Sequence, residues 1–171
     1  MTGEAFTVWS VRAATLLYVA ALIFWLAARS PRGQRTARLV WTAGCLCYLA
    51  HVYGAFQYVH GWSHAAAYAE TARQTAQLFG LNWGGGLYFN YVFTLLWPAD
   101  AIWWWRGLAR YNARPRWVTG AIHGFLAFMF FNGAVVFAPG FARWVGIAAT
   151  PTLLLLGWRS SRSRAAPTTP S

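Results

Sequence analysis

Long stretches that would be apolar on every side of a helix alternate with short polar connections along this chain. Residues 13–28 and 122–138 carry no charged face, whereas a soluble helix shows one apolar stripe and one polar one. Crossing a hydrocarbon layer of ~30 Å takes about 20 residues. The pattern offers five such segments, at about 7–28, 38–60, 82–105, 117–138 and 141–158. The fold class it predicts is all-α: a polytopic membrane helix bundle of about five transmembrane helices. Residues 1–158 form a single transmembrane helical domain in this reading, with no internal repeat.

Local signals punctuate these segments. Arg29-Ser30-Pro31-Arg32-Gly33 stops the first span. The second carries Ala43, Cys47, Ala50 and Gly54 at a spacing that lets helices approach closely. Between residues 61 and 81 the composition turns to Ala, Thr, Gln and single charges. Ser63 as N-cap and Gly80 as stop predict an outer-face helix at about 63–79, with Tyr68, Ala72, Thr75 and Phe79 on one side. Asn82-Trp83-Gly84-Gly85-Gly86 opens the third span, the glycines suggesting close helix contact or a kink. It lacks the lysine and hydroxyl of a phosphate-binding loop. Pro98 predicts a bend just before Asp100. Gly120 and Gly124 stand at GxxxG spacing in the fourth span, and Ala142, Gly146 and Thr150 share a face of the fifth. Residues 159–171, rich in Arg, Ser, Thr and Pro, read as a disordered cytoplasmic tail.

Charge orients the bundle. Arg29/Arg32/Arg35/Arg38, Arg106/Arg110/Arg114/Arg116 and Arg159/Arg162/Arg164 fall at alternate turns, and the intervening connections hold only Arg12, Arg73 and Arg143. The clustered side is cytoplasmic by the positive-inside rule, so the N-terminus is expected outside and the C-terminus inside, in a bacterial plasma (inner) membrane. Glu4 precedes any arginine, and residues 7–28 read as a retained span, not a cleaved signal. The net charge of +11, with only three acids, would suggest nucleic acid in a soluble chain. Placed at membrane edges, the charge points instead to the lipid bilayer as partner, with a homo-oligomer or a larger membrane complex beyond it. Cys45 and Cys47, one residue apart in an apolar run, imply no disulfide framework.

Polar groups inside a bilayer are costly, so their depth matters. Counting ~1.5 Å per residue from the arginine edges puts Cys45, Asp100 and His123 at roughly 9–11 Å, and His51, Asn90 and Asn132 at roughly 20–24 Å. Each layer draws on three different spans. An intramembrane aspartate costs about 2.5–3.5 kcal/mol on insertion scales and is usually paired or functional. Asp100 with His123 is therefore a candidate proton site, or with Cys45 a metal site. The alternative is that Asp100 meets an arginine or an indole at the edge and only fixes packing. The outer layer either lines a polar pocket or makes interhelical hydrogen bonds. His60, His64 and Glu70 form a second metal candidate at the outer surface, although Gly61 and Ser63 interrupt the helix that would align the two imidazoles. His51 and His123 differ by roughly 9 Å in depth, which disfavours a haem between them.

No constellation matches a hydrolase, and one intramembrane acid is too few for paired-carboxylate chemistry. The 12 tryptophans and 12 phenylalanines suit a quinone, carotenoid or lipid pocket and equally suit bundle packing. Three function classes follow, in order. The first is a noncatalytic membrane subunit or scaffold, the second a metal- or haem-binding redox protein with a transition metal as candidate cofactor, the third a small proton-coupled carrier using Asp100 and His123.

Overall fold

A computed structural model of the chain describes residues 2–27, 30–137, 143, 144 and 147. Its helices are α1 (Gly3–Ala27), α2 (Pro31–Gly54), α3 (His64–Phe79), α4 (Gly86–Trp105), α5 (Leu108–Asn112) and α6 (Arg116–Phe131), with no strand among the described residues. π-Helical segments Ala55–His60 and Asn132–Val136 extend α2 and α6. Gly3–Ala27, Pro31–His60 and Arg116–Val136 are long and apolar enough to cross a membrane. Helix α4 has the length, but Asn90, Pro98 and Asp100 interrupt its apolar run. The expected fifth span at about 141–158 lies almost wholly outside the described residues, and the expected tail at 159–171 entirely so.

Local chemistry explains the boundaries. Ser30 caps α2, its hydroxyl accepting from the Gly33 amide at 3.2 Å, and Pro31 takes the first helical position, where its missing N–H costs nothing. Helix α2 thus begins well before residue 38, and Arg32, Arg35 and Arg38 belong to its first turns instead of a loop. At the other end Gly61 and Trp62 both adopt left-handed backbone, at φ 55° and 59°. The Trp62 indole donates to Gln57 Oε1 at 3.0 Å, which anchors this break. Ser63 then caps α3, accepting from the Ala66 amide at 3.2 Å, and Gly80 ends it at φ 72°. Residues 82–85 stay outside the helix, so the third span starts later than the apolar run suggests. Gly84 is buried against the Tyr68 backbone of α3, where a Cβ would not fit. Helix α4 runs unbroken through Pro98.

The core forms where α1, α2, α4 and α6 meet. Tyr18, Trp41 and Trp97 are its largest aromatic members, with ring centroids 5.2–5.5 Å apart, and Leu126 of α6 closes it. Close approaches at Gly44 and Gly54 bring α1 against α2. A Cβ at Gly44 would sit 3.2 Å from Leu17 and from Trp97, and one at Gly54 would sit 2.7 Å from the Thr7 hydroxyl. Gly120 and Gly124 meet nothing within 4 Å, so their GxxxG face is free of the other described helices. Outward, Leu16, Leu39, Leu46, Leu95 and Trp117 are 57–75% exposed. An apolar exterior of this kind is stable against lipid and costly against water, and with the three apolar helices it fits a membrane location.

Candidate functional site

One end of the core holds a closed ionic network. Gly107, at φ 139°, adopts backbone that favours glycine and turns the chain from α4 into the single turn of α5. There Tyr111 stacks on Trp104 at 4.6 Å and 6°, burying its ring. The chain then brings Arg114 inward before Pro115 opens α6. Arg114 Nη1 donates to Asp100 Oδ1 at 2.5 Å, and the Tyr111 hydroxyl donates to Oδ2 at 3.1 Å. Arg114 Nε donates to Thr119 Oγ1 at 2.9 Å, and Nη2 to His123 Nε2 at 2.9 Å. The Asp100 and Arg114 side chains are 0% and 2% exposed. The guanidinium also lies 3.9 Å from the Tyr111 ring centroid, a cation–π contact in a desolvated place.

The network fixes protonation as well as position. A guanidinium has no lone pair, so His123 Nε2 must be the acceptor and the ring proton sits on Nδ1. Stacking on Trp25 at 5.0 Å and contact with Trp41 at 5.6 Å hold the imidazole plane. His123 Nδ1 is buried with no partner among the described residues. Burial, with the Asp100 charge, holds the Tyr111 hydroxyl well above its ordinary pKa, which keeps it a neutral donor. The arrangement neutralises a buried charge internally and leaves no carboxylate oxygen open.

Asp100 and His123 therefore share one network without touching each other; Arg114 and Tyr111 bridge them, the latter at 3.3 Å from His123 Nε2. Cys45 is buried in the same core. Among the described residues no three His, Cys, Asp or Glu side chains converge as a metal cage. The outer layer disperses. His51 Nδ1 meets the Thr7 carbonyl at 2.9 Å, Asn132 Nδ2 donates to the Phe128 carbonyl at 2.8 Å, and Asn90 is exposed.

The surface candidates also part company. His64 Nδ1 pairs with the Tyr91 hydroxyl at 2.9 Å. Glu70 accepts from Arg73 Nε at 2.8 Å and Nη2 at 2.5 Å, and from Gln74 Nε2 at 2.8 Å. These bonds, Arg73's above all, lower the Glu70 pKa to about 2. His60 and Glu70 share a shallow cleft with Arg73, and His64 does not line it.

Arg114, Tyr111 and Thr119 are the members that sequence reasoning missed. By sequence Arg114 groups with the edge arginines, which point to water by default. The available signal was an arginine and a tyrosine just past a glycine turn, within reach of an intramembrane aspartate. Comparison with protein-family models, curated proteins and solved structures finds no match.

Proposed function

We propose that this protein is a noncatalytic membrane subunit or scaffold whose buried polar residues lock its helices together. The observation that carries this reading is the closure of Asp100: both carboxylate oxygens are bonded within the chain and the side chain is 0% exposed. A proton carrier needs an acid that solvent reaches from alternate sides. A metal centre needs lone pairs aimed at one point. Here the carboxylate is committed to Arg114 and Tyr111, and His123 Nε2 to Arg114. In this reading α4 is also a span, since its costliest group is answered inside the bundle. With residues at about 141–158 it completes five, the N-terminus outside and the C-terminus in the cytoplasm of a bacterial cell. Reporter fusions at each connection test that topology, and an external C-terminus would overturn it.

The function is tested with purified wild type, Asp100→Asn and His123→Gln, in detergent and in liposomes. The scaffold reading expects both variants to lose stability or partner capture, with no pH-dependent flux in any of the three. Flux in the wild type that titrates near the histidine value of ~6.5 and vanishes in both variants would replace it with a proton-coupled carrier. Metal or a visible chromophore near one per chain, lost in a His60→Ala/His64→Ala variant, would replace it with a metal- or haem-binding protein.

A further inference from the structure

Helix α6 keeps one long side open. Of the three apolar helices it is the least covered by its neighbours, with 11% of its membrane-length stretch buried against 17% and 22%. Its inward side carries His123, Leu126 and Phe130 to the core shared with α1, α2 and α4. The opposite side runs through Trp117, Gly120, Gly124, Phe128 and Phe131, all exposed. A Cβ at Gly120 or Gly124 would meet nothing within 4 Å. The glycines leave a notch between bulky aromatics, a shape that lets another helix approach closely.

The chain that follows supplies an occupant. Proline and glycine at residues 139 and 140 break the helical pattern, and beyond them Arg143 Nη2 donates back to the Val136 carbonyl at 3.4 Å. Arg143 thus returns to the end of α6. Residues 141–158 carry no other charge, and at ~1.5 Å per residue they reach about 27 Å, close to the ~30 Å of a hydrocarbon layer. Charge sets the direction. Arg159, Arg162 and Arg164 belong at the edge that holds Arg116, so the segment must run antiparallel to α6. Consecutive helices joined by so short a connection pack side by side, and the core already takes the inward side of α6. Two described residues set the rotation. Trp144 and Ile147 are 68% and 42% exposed; on a helix they share one side, which leaves Ala142, Gly146, Ala149, Leu153 and Leu156 on the other.

We propose that residues 141–158 dock antiparallel along the outward face of α6, with Leu153 and Leu156 filling the notch at Gly124. Gly124 stands 15 residues before Pro139 and Leu155 stands 15 after Gly140, so these two leucines bracket the level of the glycine. This packing presupposes the five-span topology proposed above, and the reporter fusions given there detect a misplaced C-terminus separately from a segment that crosses elsewhere. A notch filled from within the chain is closed to a second copy.

The test is disulfide scanning of the full chain in liposomes, in a Cys45→Ala/Cys47→Ala background and among variants of parent helicity. Ala121→Cys and Ala127→Cys, both exposed on α6 beside the notch, are each combined in turn with Leu153→Cys, Leu154→Cys and Leu156→Cys. Bonds within one chain from Leu153→Cys and Leu156→Cys should form about tenfold faster than from Leu154→Cys, which a helix turns away. They should also outpace the same cysteines paired with Leu95→Cys on the open face of α4, a position 74% exposed. Equal rates along the segment, or faster bonding to Leu95→Cys, would overturn the docking. Bonds between chains from Ala121→Cys or Ala127→Cys alone would put a second copy in the notch and overturn it as well. Gly124→Leu in the parent background gives an independent reading, because it fills the notch while raising helix propensity. Unfolding by SDS should then come at a lower SDS fraction than in the parent. A higher midpoint would mean that this face meets only lipid, and the docking would fall.

Discussion

Removing the Asp100 charge should damage the protein more than removing the Arg114 charge, although the two groups form one pair. In Asp100→Asn the guanidinium stays buried, with Thr119 and His123 as its remaining acceptors. Arginine cannot shed its proton to escape. Stranding one member of a buried pair costs about 3–5 kcal/mol. In Arg114→Gln the stranded group is a carboxylate that keeps the Tyr111 hydroxyl. It can take up a proton and become neutral, which caps the cost nearer to that of a lost charged hydrogen bond, about 1.5–3 kcal/mol. Tyr111→Phe leaves the pair intact and should cost about 1.5 kcal/mol, the low end of the same range.

The paired replacement Asp100→Leu/Arg114→Met removes both charges and should lie within about 1 kcal/mol of the parent, or above it. Unfolding by SDS titration from mixed micelles, followed by circular dichroism, ranks the parent, the single variants and the double variant on one scale. Were Asp100→Asn to fall within about 0.5 kcal/mol of the parent, or the double variant to be no more stable than Asp100→Asn, the network would not be what locks α4 to α6.

Other perturbations follow from the same geometry. Gly44→Ala forces a methyl to 3.2 Å from both Leu17 and Trp97, and should cost about 1–3 kcal/mol in the same unfolding assay by prying α1 from α2; a neutral result would mean the seam is looser than described. Gly107→Ala places a side chain at φ 139°, a strain of about 1–3 kcal/mol that should also displace Arg114, so its cost and that of Arg114→Gln should fail to add. The Glu70 pKa is lowered on folding, so its pairing with Arg73 contributes above the ordinary carboxylate value of 4.5 and is lost as pH falls toward about 2. Carboxyl NMR should find that midpoint, and added salt should raise it toward 4.5, because the pair is exposed. A midpoint already at 4.5 in low salt would show that the pair does not persist in solution.

The parts of this fold that were legible in the sequence are those written in one dimension. Ser63 and Gly80 bound α3 as capping chemistry predicts, and a ruler of ~1.5 Å per residue was enough to put Asp100 and His123 at one depth. What the sequence hid is rotation. Helix α1 and much of α2 are apolar on every side, so no periodicity marks the inward face, and Gly44 looked no more interior than Ala43 or Cys47. The inward turn of Arg114 was hidden for a similar reason, because it depends on the route from Gly107 through α5 to Pro115, which is tertiary.

The same ambiguity gives the ionic pair its purpose. A buried carboxylate and guanidinium are a poor source of stability compared with well-packed apolar residues. Yet in a bundle whose helices could pack on several faces, apolar contacts alone penalise a wrong rotation weakly. Asp100 and Arg114 penalise it by the cost of stranding a charge away from water, and Thr119 and His123 extend that demand to a second turn of α6. The paired apolar variant should therefore keep its stability and lose its definition. Crosslinking between cysteines introduced at facing positions of α4 and α6 should give one register in the parent and several in Asp100→Leu/Arg114→Met. A single register in both would mean that packing alone orients these helices, and the pair would then need a purpose other than specificity.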